Sequence, residues 1–341
     1  MKAHSLLKRV AAGVAGGAVL GAGAAWLCQR YEPRLARTMS GPALIYSTPV
    51  LSDASGSARH PGREMVRVLR TGPVFQSATY VGPRCFEPVF EYYRSFDAMF
   101  APELLGEPQA RTRRRRRVLL LGGGGFAYPK HLLTTARGID LDVVEIDPAM
   151  VDLARRYFYL DALEGFLATD PFELANTMRV FVTDARAFLS SPYAGKPQSL
   201  PGSFETWLGG RDRRSGVAYV RGHARYDVIV NDCFAGAEPV RGLATLEAAR
   251  AAYARLVPGG AYLANIVSRQ EGLDVGFLRD VVATLSQVFA NIYVVSCSDE
   301  RFGGEDNFLV VATDSQVALT EAIPFDESFL GEVLRQADLT E

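Results

Sequence analysis

The chain has 341 residues, 48% of them apolar, with 37 Lys and Arg set against 38 Asp and Glu. That length holds one large domain or two small ones around a real core. The near-neutral charge argues against a disordered chain or a nucleic-acid coat. Cys28, Cys85, Cys233 and Cys297 are scattered with no CxxC pair, and the four histidines form no HExxH, so neither a metal site nor a disulfide framework is expected.

Behind Lys2, Lys8 and Arg9 runs an uncharged stretch, Val10 to Gln29, rich in Gly and Ala and closed by Arg30, Arg34 and Arg37. About 20 residues at a helical rise suffice to cross a bilayer. The favoured reading of residues 1–30 is a single membrane anchor with the rest of the chain cytoplasmic, since no paired cysteines hint at an oxidising compartment. A cleaved export signal ending near Ala22-Gly23-Ala24 and a soluble helix are the alternatives. Residues 31–62 read as a linker, with "ALIYSTPVL" (43–51) as a short strand.

Residues 65–81 form two β-rich runs around Thr71-Gly72-Pro73, a hairpin signal. The segment 86–100 places its apolar and aromatic residues on one helical face and is expected to be a core helix. Together these make a β-hairpin and helix region at 63–110. Six arginines crowd "RTRRRRR" at 111–117. They fit a solvated loop, or contact with anionic lipid if the anchor exists.

From residue 117 strands and helices alternate: strands at 117–122, 140–147, 178–183, 226–232 and 261–267, with helices to about 136, at 148–160, from 184, at 243–257 and near 274–289. Such alternation builds a parallel sheet covered on both faces. The last two runs, 291–297 and 307–313, have no helix between them and must pair antiparallel. The expected fold is α/β, a doubly wound, mostly parallel seven-stranded sheet of the Rossmann-like methyltransferase type over 111–316, preceded by the β-hairpin region. Residues 190–225 interrupt it as an insert rich in Pro, Gly and Ser, and 317–341 read as a C-terminal helix or tail.

"LLLGGGGFA" turns a strand into a helix through Gly122, Gly123, Gly124 and Gly125. Such a turn brings backbone N–H groups and a helix N-terminus against a ligand, with no Cβ to block it. Gly122-x-Gly124-x-x-Ala127 fits the dinucleotide fingerprint, and Glu145 closes the next strand where an acid grips ribose hydroxyls. Asp184 closes the third strand, and Asp232 the fourth, at the crevice where open α/β sheets bind ligands.

The blocks "RVLLLGGGG", "VVEIDPAMVDLARRYF", "VTDARAFL" and "YDVIVND" resemble those of the spermidine synthase (aminopropyltransferase) family, over roughly residues 65–313 without the insert. The resemblance implies that Gln76, Glu145 and Asp184 hold the nucleoside, with the glycines beside it. It makes Asp232 the catalytic acid facing the attacking amine, and decarboxylated S-adenosylmethionine or S-adenosylmethionine the co-substrate. The expected partners are an amine or other small acceptor, a membrane, and a second copy of the chain in a homodimer, with no nucleic acid.

The chain departs from the family pattern. Gly125 and Phe126 stand where the family has an acid and a glycine, and Ala235 replaces a second acid, for which Glu238 is a candidate substitute. Only Phe86-Glu87 is left of an aromatic-acid segment. The absent acids remove charge complementarity for a polyamine, and Gly125 suggests a ligand with no cation at that point. The leading reading is a divergent aminopropyl-type transferase. An S-adenosylmethionine-dependent methyltransferase, a non-catalytic nucleoside-binding membrane protein and a dehydrogenase follow.

Overall fold

A computed structural model describes residues 32–49, 65–72, 74–109, 114–170, 175–190, 205–208, 225–235, 238–268, 275–297 and 306–339. The candidate anchor at 10–29 lies outside them. Among the described residues no helix is long and apolar enough to cross a membrane.

Four strands come first: β1 (Arg34–Thr38), β2 (Gly41–Pro49), β3 (Met65–Thr71) and β4 (Val74–Tyr80). They form an antiparallel sheet in the order β1-β2-β3-β4. The hairpin expected at 65–81 is present. Within the expected linker, β2 is the strand expected at 43–51, and β1, not expected, pairs with it residue for residue from Arg34↔Ile45 to Thr38↔Gly41. The expected helix at 86–100 is also not one. It is a single α-turn, α1 (Tyr92–Ser95), running into a 3-10 turn at Phe96–Phe100. Pro88 instead bridges Thr79 at the edge of the first sheet, and a proline there keeps the preceding backbone out of the helical region.

The second layer follows the predicted alternation. In chain order it holds β5 (Arg116–Leu121), α2 (Ala127–Thr135), β6 (Ile139–Glu145), α3 (Pro148–Tyr157), α4 (Leu160–Thr169), β7 (Thr177–Val182), α5 (Ala185–Ser190) and β8 (Glu205–Leu208). Then come β9 (Tyr226–Asn231), the two-residue strands β10 (Phe234–Ala235) and β11 (Glu238–Pro239), α6 (Leu246–Ala254), β12 (Leu256–Ser268), α7 (Gly276–Ser286), β13 (Asn291–Ser296) and β14 (Asp306–Thr313).

The sheet order is β13-β14-β12-β9-β5-β6-β7-β8. Strands β12, β9, β5, β6 and β7 are parallel, and β14 lies antiparallel between β12 and β13. These are the seven expected strands; β8, from the insert, adds an eighth antiparallel to β7. The five parallel strands follow the 3-2-1-4-5 order of dinucleotide-binding domains, and the antiparallel β14 inserted between β12 and β13 is what sets this sheet apart from them. Alternate residues of β5 feed two cores: Val118 and Leu120 pack into one, Leu119 and Leu121 into the other. Burial on both faces is what a helix-covered parallel sheet demands.

The arginine run stitches the sheet together. Arg114 makes a two-pronged contact with Asp227 at 2.6 and 3.1 Å, and Arg115 reaches Asp140 at 2.8 Å. Arg116 is buried and donates to the carbonyls of Glu107, Pro108 and Arg137. These three guanidinium groups therefore serve the fold. The C-terminal segment carries short 3-10 turns at Glu327–Phe329 and Gln336–Asp338 rather than a helix. It is pinned to α6 and α7 through Leu246 N–H to Leu334 C=O and Gly331 N–H to Arg279 C=O.

Candidate functional site

The C-terminal ends of β5, β6, β7, β9 and β12 open onto a cavity of about 720 Å³. The β1–β2 turn and the β3–β4 hairpin overhang it, contributing Thr38, Met39, Thr71 and Gln76 to its wall. Gln76, Gly122, Gly123, Gly124, Glu145, Asp184 and Asp232 all line it. Residues more than 150 positions apart in sequence thus meet in one space.

The glycines answer to several neighbours. At Gly122, with φ +91°, an added Cβ would stand 2.4 Å from the Asp232 carbonyl oxygen. The close approach there is to the end of β9, not to a ligand. At Gly125 an added Cβ would stand 2.2 Å from Ser77 Oγ and 2.8 Å from Ser77 Cβ, and Gly125 is not part of the cavity wall. Its lack of a side chain reflects the first sheet packed against the loop. The expectation that Gly125 reports a ligand without a cation is therefore corrected. Phe126 takes a left-handed φ of +56° with its ring fully buried. Such a backbone costs about 1–2 kcal/mol for a non-glycine residue, offset here by core burial of the ring.

Glu145 is buried and organises the loop. Its Oε2 accepts from Gly123 N–H and Gly124 N–H, both at 2.9 Å, and Oε1 accepts from Asp147 N–H at 2.9 Å. Burial pushes its carboxyl up, against the lowering effect of those N–H groups. Asp147 caps α3 through Ala149 N–H at 2.8 Å, and its other oxygen accepts Met39 N–H at 2.7 Å, tying the overhanging turn to the sheet. Asp184 is exposed and accepts from Ala187 N–H at 2.7 Å at the start of α5.

Beyond the glycine loop, Asp232 Oδ1 accepts from Asn265 Nδ2 at 2.9 Å, and Tyr92 Oη approaches Oδ2 at 3.5 Å. Burial drives the Asp232 carboxyl up to about 7, with Asn265 and Tyr92 pulling it back. A group poised there changes protonation near neutrality, as an acid–base residue must.

Tyr92, Asn265 and Asp147 escaped the sequence reading. Asp147 had a signal, the Asp-Pro start of a helix. Tyr92 lies in the stretch read as core, and indeed Tyr93 and Phe96 are buried, yet Phe90, Tyr92 and Tyr93 also face the cavity. Glu87 turns away to Arg84 at 2.8 Å. The side chains of Ala235 and Glu238 lie outside the described ones. Among the described residues no His, Cys, Asp and Glu cluster could hold a metal ion.

No protein-family model matches the sequence, and no curated protein matches it. Solved structures do. A probable spermidine synthase from Corynebacterium glutamicum aligns over 84% of this chain and 83% of its own, at 19% identity and a TM-score of 0.51. The chain has the class I methyltransferase fold. A spermidine synthase from Thermotoga maritima aligns over 86% of this chain and 84% of its own, at 13% identity and a TM-score of 0.46. Human methyltransferase-like protein 13 in complex with SAH aligns over 68% and 86%, at 20% identity and 0.46. At such identities the likeness concerns the class I fold alone.

Proposed function

We propose that the protein transfers the aminopropyl group of decarboxylated S-adenosylmethionine to an amine. One observation carries this reading. The cavity wall holds four carboxylates, Glu145, Asp147, Asp184 and Asp232, and among the described residues no Lys, Arg or His. A donor with a sulfonium and an ammonium suits such a wall, whereas the carboxylate of intact S-adenosylmethionine would face anions with no cation to receive it.

In this reading the adenosine lies between the glycine loop and Gln76, with Asp184 toward the base and Glu145 at the ribose. A carboxylate has about four lone-pair sites. Glu145 already uses three on backbone N–H groups, so it has room for one ribose hydroxyl rather than a pair. The attacking amine sits at Asp232. Its nitrogen forms a bond to the propyl carbon beside sulfur, and the carbon–sulfur bond breaks with its electron pair going to sulfur. The products are a neutral thioether nucleoside and a secondary amine whose proton passes to Asp232. Holding nitrogen, carbon and sulfur in line supplies much of the rate, and proton acceptance by Asp232 a further factor of about 10²–10⁴.

The test incubates full-length protein with an amine and either donor. Release of methylthioadenosine from decarboxylated S-adenosylmethionine, reduced at least about 100-fold by Asp232→Asn, is the expected result. Release of S-adenosylhomocysteine from intact S-adenosylmethionine would make it a methyltransferase instead.

A further inference from the structure

We propose that the acceptor is a monoamine with an aromatic or otherwise apolar body, of the arylalkylamine class, rather than a polyamine. The inference rests on the group-transfer reading above and specifies the other half of the same cavity. The wall that Asp232 shares also carries Phe90, Tyr92, Tyr93, Val240, Leu243 and Val267, with Tyr92 in contact with the carboxylate. The Phe90 and Tyr92 rings stack with centroids 6.1 Å apart and planes 16° apart, and the Tyr92 and Tyr93 rings lie 4.1 Å apart. Asp232 is fixed within this wall by Asn265 on one oxygen and Tyr92 on the other.

The other carboxylates among the described side chains of the cavity are each already held by backbone N–H groups. Glu145 is on the glycine loop, Asp147 on Met39 and α3, and Asp184 on α5. Among the described side chains, a diamine reaching Asp232 with one nitrogen would find no further uncommitted carboxylate, and its second ammonium would lie against aliphatic and aromatic surface. Stripping that charge of water without an anion to meet it is costly. An arylalkylamine presents one nitrogen to Asp232 and an apolar body to the wall. At about 720 Å³ the cavity lies in the upper range for ligand pockets, so donor and such an acceptor have room together.

Calorimetric titration of the full-length protein tests this, with phenethylamine, putrescine and phenethyl alcohol, each with and without saturating methylthioadenosine. Phenethylamine is expected to bind at least about tenfold tighter than putrescine or the alcohol, and to lose about tenfold in Asp232→Asn. Val267→Asp, which adds an acid to the wall, should narrow the gap to putrescine. Putrescine binding as tightly as phenethylamine in the wild type, the alcohol matching the amine, or no amine binding at all would overturn the proposal. Asp232-dependent phenethylamine binding without any methylthioadenosine binding would leave the acceptor class standing and remove the group-transfer reading.

Discussion

At the scale of single residues, Glu145 and Gly125 separate two reasons for a side chain being what it is. Glu145 accepts three backbone N–H groups, so an amide at this position would turn a donor toward donors. Glu145→Gln should weaken nucleoside binding at least about tenfold and destabilise the fold by about 1–3 kcal/mol, read by calorimetry and urea unfolding. Unchanged stability would mean that the loop does not depend on the carboxylate. Gly125→Asp supplies the acid of the spermidine synthase pattern in name only. With Ser77 Oγ 2.2 Å from the added Cβ, overpacking should cost about 1–3 kcal/mol or more, and it should not improve putrescine binding. The fingerprint glycines, Glu145, Asp184 and Asp232 were legible because each ends a strand, where a simple rule about open sheets applies. Tyr92 and Asn265 were not. Their place at Asp232 depends on an irregular segment and on the register of β12, and neither has a short-range signature.

Among elements, the βα units were read closely because apolar runs, caps and a helix-opening proline agree with one another. In the first sheet only β1 was missed. β1 is only five residues long with three of them exposed, and its identity as a strand comes from pairing with β2. The predicted helix at 86–100 failed for a related reason, since the aromatic spacing that suggests a helix is here spread over turns that touch the first sheet, α2 and the cavity. The joint between sheet and helices holds a buried lysine. Lys130 Nζ donates to Thr79 Oγ1 on β4 and to the Phe158 carbonyl, both at 2.8 Å. Burial lowers its pKa from 10.5 to about 7. Above pH 7 the native state has shed this proton while the unfolded chain keeps it up to about 10.5, so the unfolded state binds more protons. Stability contributed by this site therefore rises with pH across that window. Denaturation of wild type and Lys130→Met from pH 6.5 to 10 should show the difference shifting in favour of the wild type; a flat difference would contradict it.

For the molecule as a whole, the seven strands and their antiparallel finish were legible, and so was the convergence of the site at one edge of the sheet. Of the roof over that site, the β3–β4 hairpin with Gln76 was legible, whereas the β1–β2 turn, tied to the sheet by Met39 N–H on Asp147, was not. The charge of the cavity gives binding a pH dependence. Asp232 titrates near 7 in the folded protein against an ordinary 3.8. As pH rises from about 4 through 7 the empty protein loses stability from this carboxyl, because the native state holds the proton that the unfolded chain has released. A cationic ligand favours the ionised form, so its affinity should increase through pH 7 with proton release, and this slope should vanish in Asp232→Asn.

The central claim is that the cavity takes a sulfonium adenosine lacking a carboxylate. Calorimetric titration of the full-length protein at pH 7.5 with decarboxylated S-adenosylmethionine, S-adenosylmethionine and NADH tests it most directly. Decarboxylated S-adenosylmethionine should bind at least about tenfold more tightly than S-adenosylmethionine, a difference of about 1.4 kcal/mol, with no heat from NADH. Tighter binding of S-adenosylmethionine, or binding of NADH without either adenosyl sulfonium, would contradict it.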